Sequence, residues 1–160
     1  MSVKPDLRQS PTFISCVGAL LASTIVPTIA ASVFFDLYLV SGIAAFAFAV
    51  AFSHAVLLGI PLFLLVQARG LFNFFSAVAG GFLIGILPLG ILIFPINISG
   101  GSSSIDGVLM ISDGLPTYAG WMGYFETILI SGLFGALGGF AFWLTLKCSA
   151  ARIRRHPASS

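Results

Sequence analysis

Apolar residues run through the chain in four long blocks, and the polar and charged positions gather at the joints between them. Residues 12–35, 37–66, 72–95 and 127–146 contain no Asp, Glu, Lys or Arg, giving uncharged runs of 24, 30, 24 and 20 residues. A helix needs about 20 apolar residues to cross a hydrocarbon core of about 30 Å. The pattern therefore predicts four membrane-spanning helices over about 12–34, 41–66, 73–95 and 126–146. The expected fold is all-α, a polytopic membrane protein whose four-helix bundle carries a long extracytoplasmic loop, 96–125, between helices 3 and 4. Short tails, 1–11 and 147–160, complete a single transmembrane domain.

The second run is longer than one crossing requires, because 30 residues at 1.5 Å each would make about 45 Å. Neither half is long enough to cross alone. Ser41-Gly42 and Gly59-Ile60-Pro61 are helix-weakening points, so one tilted or kinked helix from about Ser41 to Val66 is expected. The short connections around Asp36 and around Gln67 to Gly70 can join only antiparallel neighbours.

Composition narrows the class. Charged residues make up 8% of the chain and hydrophobic ones 58%, against roughly 25% charged in a soluble domain. That excludes a water-soluble globule and a disordered chain. A net charge of +2 also leaves little to set against phosphates, so no nucleic-acid partner is expected. Lys4 and Arg8 precede the first apolar run, and Thr28-Ile29-Ala30 resembles a cleavage site. The apolar run nevertheless continues through Val33-Phe34-Phe35 with no polar mature start, so the first segment is expected to be retained.

Charge placement predicts orientation. Lys4, Arg8, Lys147, Arg152, Arg154 and Arg155 lie in the tails, and Arg69 lies in the second connection, so all seven positive residues fall on one side. The opposite side carries only Asp36, Asp106 and Asp113, with Glu126 at its edge. By the positive-inside rule both termini are cytoplasmic, and a plasma membrane, most naturally a bacterial inner membrane, is expected. Trp121 and Trp143 stand 22 residues apart, about 33 Å along a helix, as suits one aromatic anchor at each interface.

Small residues recur at four-residue spacing in every run, and lipid-embedded helices pack through such stripes. The clearest are Ala77, Gly81, Gly85 and Ser131, Gly135, Gly139. They serve packing inside the bundle or self-association, and the spacing alone does not choose between the two.

His54 is the only ionisable residue deep in a span, which by default raises a functional hypothesis. Depth counted from the span ends places His54, Ser131, Ser23 and Thr24 in one polar layer of the outer half, with Asp36 and Glu126 as acids at the outer mouth. The plainer reading is a neutral His54 that hydrogen-bonds to a serine or a backbone carbonyl and joins two helices. A Ser131–His54 catalytic pair lacks an orienting carboxylate at that level and a G-x-S-x-G setting. His54 and His156 lie at different levels, and Cys16 and Cys148 have no C-x-x-C spacing, so neither a metal nor a cofactor is expected.

In the loop, Gly100-Gly101-Ser102-Ser103-Ser104 reads as a flexible connector. Val108 to Ile111 reads as a strand or interfacial segment on the bundle, or as a docking patch. Asn97-Ile98-Ser99 forms a glycosylation triplet against the membrane. The functional expectation is a non-enzymatic accessory, assembly or interaction subunit whose partners are the lipid bilayer and other membrane subunits or a second copy. The alternative is a small oligomeric transporter or channel using the polar layer around His54.

Overall fold

A computed structural model describes residues 13–34, 41–95 and 100–155. Asp36, the tail residues Lys4, Arg8 and His156, and the Asn97-Ile98-Ser99 triplet lie outside them. Five α-helices occur among the described residues: α1 Phe13–Phe34, α2 Ser41–His54, α3 Ile60–Ala68, α4 Phe74–Leu92 and α5 Tyr118–Arg155. A π-helical turn, Ala55–Gly59, joins α2 to α3. The result is mostly helical, with four helices long and apolar enough to cross a membrane.

The π-turn has a local cause. Pro61 has no N–H and its ring presses on the carbonyl four residues back, so a regular α-helix cannot pass through it unchanged. The chain widens just before it, with the Ile60 N–H donating to the Ala55 carbonyl. Pro61 then sits in the first turn of α3, where its missing donor costs nothing. The overlong second run is thus one continuous helical rod with a bulge in its middle.

Helix α4 opens with a reciprocal cap. The Ser76 N–H donates to the Asn73 side chain and the Asn73 N–H donates to the Ser76 hydroxyl. At its other end the Gly90 carbonyl, one of the last four without a helical donor, accepts from the Tyr124 hydroxyl at 3.0 Å.

Helix α4 packs antiparallel on α5 along almost the full length of α4, and α1 lies against α5 on another side. Large side chains point away from these seams. Leu83, Leu87 and Ile91 on α4 and Leu129, Leu133 and Leu137 on α5 form exposed ridges, while the buried apolar residues are few and include Ala19 and Ala141. Size is sorted inside out, with small residues between helices and branched ones outside. By contrast, α2, the π-turn and α3 lean more loosely on the other helices, and no residue of the π-turn or α3 is buried.

The loop between the third and fourth long helices is not a plain connector. It contains β1 Ser103–Ile105, β2 Val108–Ser112 and β3 Leu115–Pro116, an antiparallel meander in the order β1-β2-β3. Ile105 pairs with Val108 and Ser112 with Leu115, so each turn is a two-residue loop. Both loops read Asp-Gly: Asp106-Gly107 has φ of 50° and 78°, and Asp113-Gly114 has 50° and 81°. Positive φ at both central positions defines the tight hairpin turn whose twist matches that of paired strands. The expected flexible run is therefore partly strand, because two Asp-Gly turns fold it back on itself.

The fourth long helix also starts earlier than expected, at Tyr118 rather than 126. Thr117 caps it, its hydroxyl accepting from the Gly120 N–H at 3.1 Å while donating to the Leu109 carbonyl. Glu126 ends the charge-free run but not the helix, since an acidic side chain is no obstacle to helix geometry outside a membrane core. The sheet rests on this first part of α5, where Gly120 accommodates the Met110 carbonyl and Gly123 the Met110 side chain.

Candidate functional site

The two small-residue stripes meet each other. A Cβ added at Gly81 would run into the Gly135 carbonyl and the backbone of Gly139, and one at Gly139 into the Ala77 carbonyl. Gly85 lies on Ser131 in the same way. Ser131 adds a side-chain hydrogen bond across this seam, its hydroxyl donating to the Gly85 carbonyl at 2.8 Å, as Tyr124 does to Gly90 farther along. The α1–α5 seam has its own logic. Pro27 removes the donor that the Ser23 carbonyl would otherwise meet in α1, and that carbonyl points at Gly138, which has no side chain to obstruct it.

Between these tightly packed helices and the α2–α3 rod lies a cavity of about 720 Å³. Its wall draws on all four long helices and includes Leu20, Val50, Phe63, Ile84, Leu89 and Phe142. On α4 the wall reaches from Ser76 to Leu92, about 24 Å of helix. Among the described residues, no Lys, Arg, Asp or Glu contributes to it.

Three of the four residues assigned to a polar layer, His54, Ser131 and Ser23, belong to this wall. They are staggered rather than level. Ser131 faces Gly85, whereas the Ser23 carbonyl faces Gly138, seven positions along α5 from Ser131 and so about 10 Å lower. His54 is five residues before Gly59, which sits beside Ile84, placing it about 7 Å nearer the sheet. The order from the sheet end is His54, Ser131, Ser23. Counting depth from the ends of charge-free runs assumes that every helix starts in one plane, and these helices do not.

Hydrogen bonding gives each group a definite character. The Ser23 hydroxyl donates to the Leu20 carbonyl at 2.7 Å and that of Ser131 to Gly85, so neither has an unmet donor. Thr24 is fully buried, donates to the Leu21 carbonyl at 2.9 Å and takes no part in the wall. His54 Nδ1 lies 2.7 Å from the Val50 carbonyl of its own helix. A carbonyl can only accept, so Nδ1 carries the ring proton, and in the neutral ring Nε2 presents a lone pair. Nε2 has no protein partner among the described residues. His54 therefore does not tie two helices together through this bond; it bonds its own helix and keeps an acceptor in reserve.

Glu126 is exposed on α5 and stands outside the wall. Two aromatic clusters flank the long axis of α5. Phe94, Trp121, Tyr124 and Phe125 gather near the sheet, and Phe74, Phe140 and Trp143 gather toward the other end, where the Lys147 ammonium lies 5.8 Å from the Trp143 ring. The π-turn beside His54 was not anticipated from sequence, although Pro61 placed after Gly59 was a signal for it. The two Asp-Gly pairs were likewise readable as hairpin turns.

No protein-family model matches the chain, no curated protein matches it in sequence, and no solved structure matches it.

Proposed function

We propose that the chain is an integral membrane protein of a plasma membrane of the bacterial inner-membrane type, with both termini cytoplasmic. It acts without catalysis as an accessory, assembly or interaction subunit. The observation that carries this reading is the uneven packing of the helices. One pair, α4 and α5, has spent its small-residue faces on each other, while the α2–α3 rod shows apolar residues such as Leu57, Leu64 and Leu65 with little covering them. Exposed leucine ridges on α4 and α5 suit lipid, and the rod offers a further face to a neighbouring subunit or a second copy.

Arg69 and Lys147 lie at one end of the antiparallel α4–α5 pair and Asp106 and Asp113 at the other, which supports the orientation taken from charge placement. A pore requires a continuous polar path. The stretches of wall between His54, Ser131 and Ser23 are apolar, which favours a subunit over a small transporter or channel.

Extraction in mild detergent followed by native mass measurement tests this reading. The expected result is a stoichiometric complex, with another polypeptide or with a second copy, in which a cysteine placed at Leu64 cross-links to that partner. A folded monomer whose Leu64→Cys variant reacts with lipid probes alone would overturn it.

A further inference from the structure

We propose that the cavity between the α2–α3 rod and the other helices is a binding site for a single-chain lipophilic alcohol, with the hydroxyl held by His54 Nε2. The inference rests on the reading of the chain as a membrane protein, because the bilayer is where such ligands are dissolved.

The shape of the cavity selects a chain. It follows α4 for about 24 Å, and its volume of about 720 Å³ falls in the range of about 300–1,000 Å³ typical of small-molecule sites. An apolar space elongated along α4 suits an extended hydrocarbon. Water is a poor occupant over most of that length, since an ordered water needs about 2–4 polar partners and the wall between the staggered polar groups supplies none.

The polar groups select the head. The three wall serines, Ser23, Ser76 and Ser131, have already donated their protons to backbone carbonyls, so they lie against a hydrocarbon without an unmet donor. His54 supplies the strongest acceptor in the wall, because Nδ1–H is committed to the Val50 carbonyl and Nε2 keeps its lone pair, and the serine oxygens that also line it can likewise only accept. The complementary group is a donor. With no Lys, Arg, Asp or Glu among the described residues of the wall, a charged phosphate, carboxylate or ammonium would be buried there unpaired at heavy cost. An uncharged hydroxyl meets every condition. An ether, ester or ketone offers only acceptors and would leave Nε2 facing another lone pair. The position of His54 near the sheet end of the wall sets the polarity of binding, with the hydroxyl toward the sheet and the chain running past Ser131 and Ser23.

The test uses the full chain in phosphatidylcholine nanodiscs with a photoreactive hexadecanol, competed by hexadecanol or by its methyl ether. The expected result is labelling of cavity-wall residues and competition by the alcohol roughly tenfold better than by the ether, the size of one buried hydrogen bond. His54→Phe should abolish that preference while the ether still competes. Ala51→Phe, which fills the space, should weaken both competitors. Equal competition on the unaltered protein, or a preference that survives His54→Phe, would overturn the proposal even if one variant folds poorly. A chain absent from the membrane fraction overturns the membrane reading together with this one. A folded, inserted chain with no preference overturns this one alone.

Discussion

At Gly81 the decisive property is the absence of a side chain. The Gly135 carbonyl and the Gly139 backbone occupy the space where a Cβ would go, and they are backbone atoms that cannot rotate aside. Inserting even a methyl group forces α4 and α5 apart, and overpacking of this kind costs about 1–3 kcal/mol. The Ser131 to Gly85 hydrogen bond crosses the same seam, but such bonds within membranes average only about 0.6 kcal/mol. Gly81→Ala should therefore lower stability more than Ser131→Ala when both are unfolded in mixed detergent micelles. The reverse order would mean that the hydrogen bond, not close backbone approach, holds the pair. These two stripes were legible in the sequence because four-residue spacing is a direct projection of helix geometry. The character of His54 was not legible: its tautomer depends on a bond to the Val50 carbonyl, and its neighbours across the cavity depend on where separate helices start.

At the scale of elements, the sheet shows how much two short turns decide. Asp106-Gly107 and Asp113-Gly114 reverse the chain twice, and Thr117 then ties the middle strand to the start of α5. A residue other than glycine at φ near 80° is strained, so Gly107→Val and Gly114→Val should each open a hairpin. The measurement is amide exchange at Met110 and Thr117, expected to quicken by at least about fivefold for a strain above roughly 1 kcal/mol. Unchanged exchange would mean that the contacts with α5 hold the strands without the turns. The early start of α5 escaped a charge-based boundary for a simple reason. Absence of charge marks what fits in a hydrocarbon core, while the end of a helix is set by caps, glycines and prolines. In the second run the two criteria also diverge, since the π-turn at Ala55–Gly59 answers to Pro61 and not to hydropathy.

For the whole molecule, the antiparallel α4–α5 pair puts the α3–α4 connection and the sheet at opposite ends. With the proposed orientation, a cysteine at the exposed Ser104 should react with a membrane-impermeant maleimide in intact cells. One at the exposed Arg69 should react only after the membrane is opened. Labelling of both from outside, or of Arg69 alone, would refute the orientation. The four long apolar helices were readable because length and apolarity are summed over many residues and survive local irregularity. The unequal packing among them was not readable, because every run offers a small-residue stripe and only assembly shows which stripes pair.

That unequal packing also sets an order of events. A chain is made from its N-terminus at about 5–20 residues per second, and α1 ends at Phe34 while its chief neighbour α5 begins only at Tyr118. The 83 residues between correspond to several seconds during which the Ser23 carbonyl, stripped of its donor by Pro27, waits for Gly138. Helix α5, made after the other four, is thus the keystone of the assembly, and a nascent chain stalled before Tyr118 exposes the α1 and α4 faces that α5 covers once it is made.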